Sequence, residues 1–330
     1  MEPDPSRSFR PARAFWVERP LSGGIRPVDL GPASADDVCI EALFSGVSRG
    51  TEALVFRGGV PLSQVAAMRC PFQEGEFPAP VKYGYSLVGR VIDGPPELRG
   101  RTAFVLHPHQ TCLVVPAAAA VPVPEGVPAE RAILAANMET ALNIVWDAGI
   151  QPGDRVCVIG AGVVGLLTAW LVRQFPAVPV LVHDVDPAKA AAANDLGLAF
   201  ACDPAGFGPF DIVIHASGNP AGLRTALELA EFEGVIVEAS WFGDREAALP
   251  LGEAFHSRRL TLRSSQVGAV AASRRGRTSH RARLELALRL LTDDRLDRVI
   301  SGESDFESLP EVMAGLAAGT LAALCHRIRY

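Results

Sequence analysis

Lysine is almost missing from this chain: Lys82 and Lys189 are the only two among 31 cationic side chains, the rest being arginine. That bias reads as a coding-sequence preference and carries little mechanism. The six cysteines (39, 70, 112, 157, 202 and 325) include no C-x-x-C pair. Most lie in apolar runs, which suits small buried hydrophobes in a reducing compartment and argues against a disulfide framework. No uninterrupted apolar run approaches the length of a membrane span. The leading MEPDPSRSFRPAR has no apolar signal core, and residues 1–13 read as a loosely attached leader. Excess positive charge is also lacking, since the formal charge is −6 and the pI near 5.7, which excludes a nucleic-acid surface. A soluble cytoplasmic protein is expected. The one basic cluster, Arg274, Arg275, Arg277, Arg281 and Arg283, reads as a solvated loop and helix face or as a contact for an anionic substrate.

What is present centres on residues 153–186. Val156 to Ile159 is a buried-strand run, and Gly160, Gly162 and Gly165 follow it as G-x-G-x-x-G at the start of an apolar helix. Gly160 permits the tight turn, Gly162 lets backbone approach a pyrophosphate, and Gly165 allows close helix packing. The first-turn N–H groups at Val163 and Val164, with the helix dipole, face the phosphates. A second apolar run ends on Asp184, 19 residues past Gly165, where a carboxylate can accept from both ribose hydroxyls. Its charge repels a 2′-phosphate and no arginine follows closely, so NAD is expected over NADP.

The pattern around this stretch predicts two parts. Ala14–Val17, Val38–Phe44, Ser86–Ile92, Thr102–Leu106 and Leu113–Pro124 read as β structure between Gly/Pro turns. Pro128 starts a helix expected to run through Glu139 towards Trp146. Six strands then alternate with helices: Val156–Ile159, Val180–Asp184, Ala199–Cys202, Asp211–Ala216, Val235–Ala239 and Leu260–Ser264. That is an α/β doubly wound parallel sheet. Helices near 280–291 and 309–316 and a strand at 323–328 form a tail expected to pack back on the N-terminal part. The division is a substrate domain from 1–143 and 268–330, and a Rossmann domain from 144–267.

The segments SGVSRGTE (45–52), KYGYSLVGRV (82–91), NMETALN (137–143) and HASGNPAGLRTAL (215–227), with the glycine turn, resemble the medium-chain dehydrogenase/reductase family. The likeness covers nearly the whole chain and implies a GroES-like catalytic domain beside the Rossmann domain. The first two segments look most like a subgroup containing bacteriochlorophyllide a dehydrogenase, which is evidence of class only. Family members of the zinc alcohol dehydrogenase type hold zinc with a Cys, a His-Glu pair and a further Cys or acid. Here Ser48, Tyr85-Ser86 and Ala136 stand at those positions, and residues 93–110 hold no Cys for a structural zinc lobe. Neither set suits zinc, so a zinc-free member is expected. A nonstandard site from Glu52, His107, His109 and Glu139 is the alternative, although Pro108 separates the two histidines.

Without metal, hydrogen-bond donors must stabilise the developing alkoxide. Tyr85, at the lost histidine position, offers a phenol, and Lys82 is near enough in sequence to lower its pKa. Ser48 and Thr51 can relay protons through a ribose hydroxyl, and His109 is the group that titrates near neutrality. Tyr85, Lys82, Ser48 and Thr51 each also suit purely structural places, as does Glu139 as a helix cap. Thr140, together with Ser217, Gly218 and Asn219 at the end of the fourth parallel strand, completes the expected cofactor contacts, with Gln266 a weaker one. Arg49 and Arg57 are the only nearby anion contacts. The expected activity is NAD-dependent interconversion of hydroxyl and carbonyl on a small biosynthetic intermediate. Alternatives are a C=C reductase and a nucleotide-binding sensor without chemistry. A homodimer through Leu260–Ser264 is implied by the resemblance.

Overall fold

The computed structural model describes residues 11–330. The first part is β-rich: β1 (Ala12–Arg19), β2 (Ser22–Val28), β3 (Asp37–Ser48), a short helix α1 (Thr51–Phe56), then β4 (Glu74–Gly75), β5 (Val81–Lys82), β6 (Leu87–Asp93), β7 (Thr102–Val105), β8 (Cys112–Pro116) and β9 (Val121–Pro122). Two helices follow, α2 (Ala129–Ala132) and α3 (Ala135–Ala148). The parallel part comprises β10 (Val156–Ile159), α4 (Val163–Val172), β11 (Val180–His183), α5 (Ala190–Asp195), β12 (Ala199–Ala201), β13 (Phe210–His215), α6 (Pro220–Leu229), β14 (Ala230–Glu238) and β15 (Thr261–Ser264). The tail adds α7 (His280–Arg289), β16 (Ile300–Asp305), α8 (Leu309–Ala318) and β17 (Cys325–Arg329).

The six parallel strands run in the order β12-β11-β10-β13-β14-β15, reversing direction of construction at β10. This is the expected doubly wound sheet, and the crevice at its switch point opens beyond the carboxyl ends of β10 and β13. All four residues of β10 are buried, as both faces are covered by helices and an unbroken apolar run is needed. Helix α4 is apolar all round for the same reason. The other strands form a seven-stranded sheet, β16-β17-β3-β6-β7-β9 with β8 on β3, and a four-stranded sheet, β2-β1-β5-β4. The tail does return: β17 pairs antiparallel with β3, Cys325 opposite Ser48.

Several expectations need correction. Positions 12 and 13 belong to β1, because Ala12, Ala14, Phe15 and Val17 bury their side chains; residues 1–10 of the expected leader lie outside the described residues. The helix expected from Pro128 to Trp146 is two. The Ile133 carbonyl accepts from Ser86 Oγ, and the chain steps before α3 begins. The stretch 113–124 is likewise split between β8 and β9. Helix α3 also runs across the expected boundary at 143/144.

Candidate active site

At the glycine turn, Gly160 adopts φ +108°, and a Cβ there would lie 2.7 Å from Ser217 Cα. A Cβ on Gly165 would sit 1.8 Å from the Gly160 carbonyl oxygen, so only glycine lets α4 close on the turn. A Cβ on Gly162 would meet nothing within 4 Å: the space before the α4 N-terminus is open, as a pyrophosphate requires. Val163 and Val164 form the first turn behind it.

Asp184 is tied to this turn. Its Oδ2 accepts from Ala161 N–H (2.8 Å) and Lys189 Nζ (3.1 Å), and its Oδ1 accepts from Asp186 N–H (3.0 Å). Burial pushes the carboxyl's pKa up, but those N–H donors and the Lys189 charge outweigh it and hold it below the ordinary range. Lys189 is the partner missed by a search for arginine, and it partly neutralises the charge on which the exclusion of a 2′-phosphate rested.

In the facing part, the Tyr85 phenol lies near the Ser48 and Thr51 side chains, which favour its charged form. Burial raises its pKa well above the usual tyrosine range, and the Glu52 charge adds to this. Lys82 does not act on Tyr85, contrary to expectation. It is buried on β5, where its ammonium pairs with Glu74 and donates to Gln110 Oε1 (2.8 Å). Strand β5 ends at Lys82, and the chain turns through Gly84 (φ +146°) before it reaches Tyr85.

His109 is also placed differently from expectation. At 1% exposure, its Nε2 donates to Glu52 Oε2 (2.8 Å) and its Nδ1 accepts from Ser45 Oγ (2.7 Å). Ser45 Oγ accepts in turn from the Tyr330 phenol (2.9 Å), and Glu52 Oε1 accepts from Ser48 N–H (2.9 Å). Both ring nitrogens are occupied within the fold, and His109 reaches the Ser48 backbone through Glu52. His107 turns elsewhere, its Nδ1 on Pro108 O (2.8 Å) and its ring stacked on Phe72 at 5.3 Å. Burial drives its pKa down to about 3. Glu139 stands apart from all of these on α3, bound to Arg283 (3.0 Å). The four residues of the alternative metal site are therefore not gathered. Among the described residues no three His, Cys, Asp or Glu side chains converge on one ion.

Arg283 is the exception within the basic cluster. It is 1% exposed and binds Glu139, Asn143 Oδ1 (2.6 Å) and the carbonyls of Val267 (2.5 Å) and Ala269 (3.3 Å). Burial raises the Glu139 pKa although Arg283 opposes it. Arg281 pairs with Glu285 and Arg274 lies over Trp146, as a solvated face would have it. Thr140 bonds back to Ala136 O (3.0 Å) on a partly exposed stretch of α3. Gln266 folds its Oε1 onto Gly268 N–H (2.6 Å), shaping a turn. Arg49 is exposed, and Arg57, also exposed, reaches Ala317 O (3.4 Å). Ser217, Gly218 and Asn219 end β13 beside the glycine turn, with Asn219 capping α6.

No protein-family model matches the chain. In sequence it is similar to an uncharacterised zinc-type alcohol dehydrogenase-like protein of Haemophilus influenzae, 22% identical over 276 residues, covering 69% of this chain and 76% of that protein. The L-idonate 5-dehydrogenase (NAD(P)(+)) of Escherichia coli is 22% identical over 247 residues, 59% of this chain and 71% of that enzyme. Its crystal structure superposes with a TM-score of 0.77 at 17% identity, covering 97% of this chain and 98% of that one. A zinc-binding dehydrogenase-like structure from Sinorhizobium meliloti bound to NADP gives 0.78 at 19% identity, over 98% and 100% of the two chains. The fold is that of the medium-chain dehydrogenases/reductases. The chain's homologues and structural neighbours are zinc-type alcohol dehydrogenase-like members of that family.

The two groups this fold implies fare differently against the residues present. A dinucleotide fits: the open space at Gly162, the unencumbered α4 N-terminus and Asp184 match a pyrophosphate and a ribose. Zinc does not fit the equivalent positions, where Ser48, Tyr85 with Ser86, and Ala136 supply no thiolate, imidazole or carboxylate.

Proposed function

We propose that this chain is a zinc-independent, NAD-dependent oxidoreductase interconverting a hydroxyl and a carbonyl on a small molecule. The observation that carries the reading is the Tyr85 phenol, placed near the Ser48 and Thr51 side chains where the family motif has a metal ligand. The nicotinamide supplies or accepts the hydride. Asp184 takes the ribose hydroxyls, and the α4 N-terminus takes the pyrophosphate. Tyr85, kept protonated by burial, donates a hydrogen bond to the carbonyl oxygen as negative charge develops there, then passes its proton to the alkoxide. It regains one from solvent by way of the Ser48 and Thr51 hydroxyls, and oxidation runs the same transfers in reverse. Ser48 and Thr51 fix the direction of that O–H, and the Glu52–His109 pair fixes Ser48. Thr140, Ser217, Gly218 and Asn219 line the cofactor crevice.

The same reading divides the chain into a substrate part (1–143 and 268–330) and a cofactor part (144–267), working in the cytoplasm as a homodimer paired along β15, whose four residues are exposed. No described helix is long and apolar enough to cross a membrane. Among the relatives, the L-idonate enzyme is named for action on a CH–OH group, which favours alcohol chemistry over enone reduction. Turnover with labelled NADH on paired ketone and enone substrates, with metal analysis of the same preparation, tests all of this. Reduction of enones alone, or one zinc per chain needed for turnover, would refute it. Binding of NADH without turnover on any substrate would make the chain a sensor.

A further inference from the structure

At the carboxyl end of β13 stands a second histidine that no step above uses. His215 is 0% exposed and lies opposite Glu238 in the β13–β14 register. Its Nδ1 donates to Glu238 Oε2 (2.7 Å), while Glu238 Oε1 accepts from Ser240 N–H (2.6 Å). On its other side, Nε2 meets Ser217 Oγ at 2.6 Å, and Phe242 stacks on the ring at 6.0 Å. The arrangement exists only because residue 222 on α6 is glycine. A Cβ there would lie 2.6 Å from Ser217 Oγ and 2.8 Å from His215 Nε2.

The carboxylate dictates the rest. Glu238 can only accept, so Nδ1 carries a proton; with a single proton on the ring, Nε2 is left with a lone pair. Ser217 must then donate its single proton backwards, into the protein. Its oxygen also receives Asn219 N–H (3.2 Å), which leaves one lone pair free on an exposed residue at the carboxyl edge of the sheet. Such a group binds a donor. It repels phosphate and carboxylate, which bring no proton, and Glu238 behind it reinforces this. Arg245 donates to Gly218 O (2.7 Å), which sets its guanidinium at the rim of this edge, so the selection for a donor rests on the Ser217 lone pair itself.

Sheet order says which donor arrives. Asp184 ends β11 on one side of β10, and Ser217 ends β13 on the other, pressed against Gly160. A dinucleotide with one ribose on Asp184 and its pyrophosphate on α4 lays its other nucleoside over β13 and β14. We propose that His215 and Glu238 are positioning residues that lock Ser217 as a one-way acceptor for a hydroxyl of the nicotinamide-side ribose. This rests on the dinucleotide reading above.

The test is fluorescence titration of the full chain with NADH and with an NADH analogue lacking the nicotinamide-ribose hydroxyls. Ser217→Ala should weaken NADH binding about tenfold, the scale of one hydrogen bond, and leave the analogue unchanged. His215→Leu should do the same, while His215→Gln, whose amide oxygen can still accept the serine proton, restores most of the loss. Equal loss on both ligands, or none on NADH, overturns the inference while the dinucleotide reading stands. A wild-type chain that binds neither NADH nor NADPH overturns that reading itself. Thermal melting of each variant separates misfolding from lost recognition, since a folded variant retains the analogue's affinity.

Discussion

Two serine–histidine–glutamate chains stand in this molecule, one in each half, and their chemistry is the same up to the last oxygen. Ser45–His109–Glu52 is enclosed between β3, α1 and the loop after β7, and its serine is 0% exposed and also engaged by Tyr330. Ser217–His215–Glu238 lies along the edge of the parallel sheet, with its serine open to the crevice. In the enclosed chain every polar atom has its partner within the fold, so the chain acts as a strut. In the open one a single lone pair is left over, and that remainder is what a ligand can read. Burial of the terminal oxygen, and not the identity of the three side chains, separates a structural role from a recognitional one.

The comparison can be broken from either side. The largest effect is expected from His109→Ala, which leaves the buried Glu52 Oε2 without its partner and only Oε1 still bound, to Ser48 N–H. A loss of about 3–5 kcal/mol in urea denaturation is expected, with NADH affinity of the folded protein unchanged. A loss near zero accompanied by weaker binding would erase the distinction. Next comes Tyr85→Phe, which removes the donor without touching either chain. Turnover should fall about 10²–10³-fold, as when one oxyanion donor is lost, with the melting temperature within a degree or two of wild type. Retained turnover in steady-state kinetics would remove the phenol from the chemistry. Smaller still is Gly222→Ala, which presses on the open chain only. NADH affinity should drop by about tenfold or less, with catalysis at saturation little altered.

The smallest effect concerns pH. The Asp184 carboxyl is held below its unfolded value, so its contribution to stability is complete above the ordinary carboxylate range. It is lost as pH falls through the lower, folded value. Asp184→Asn should therefore lower stability at neutral pH and leave the acid extreme nearly unchanged, so that the acid side of a stability-against-pH curve flattens. An unaltered acid limb would show that Ala161 and Asp186 N–H groups do not favour the charged form. The same variant should narrow the preference between NAD and NADP, read as a ratio of dissociation constants.

The cofactor half was legible because its signals are local. Gly160, Gly162, Gly165 and Asp184 lie in one βαβ unit, where spacing along the chain translates into spacing in space. All six parallel strands fall within a residue or two of their apolar runs, except β14, which begins earlier at Ala230. The facing half was less legible because its contacts are made at long range. Nothing near Ser45 announces Tyr330, 285 positions away, and nothing near Glu139 announces Arg283. Lys82 misled for a related reason: it is close to Tyr85 in sequence, but its ammonium is taken by Glu74 and Gln110, partners 8 and 28 positions away. His215 could have been noticed as a histidine ending an apolar strand, but its Glu238 partner follows only from the register of β13 and β14.

Helix α3 belongs to neither half alone. It carries Glu139 and Asn143, which hold Arg283 and Ala271 N–H, and Asp147, which accepts from Ser265 Oγ (2.7 Å) and whose carbonyl accepts from Arg263 (2.6 Å). Its body packs on α4, behind the glycine turn. Any opening of the crevice to admit a cofactor must accordingly pivot about this helix instead of parting from it. The hinge line of the enzyme would then run through α3, and the two halves would swing around a shared axle.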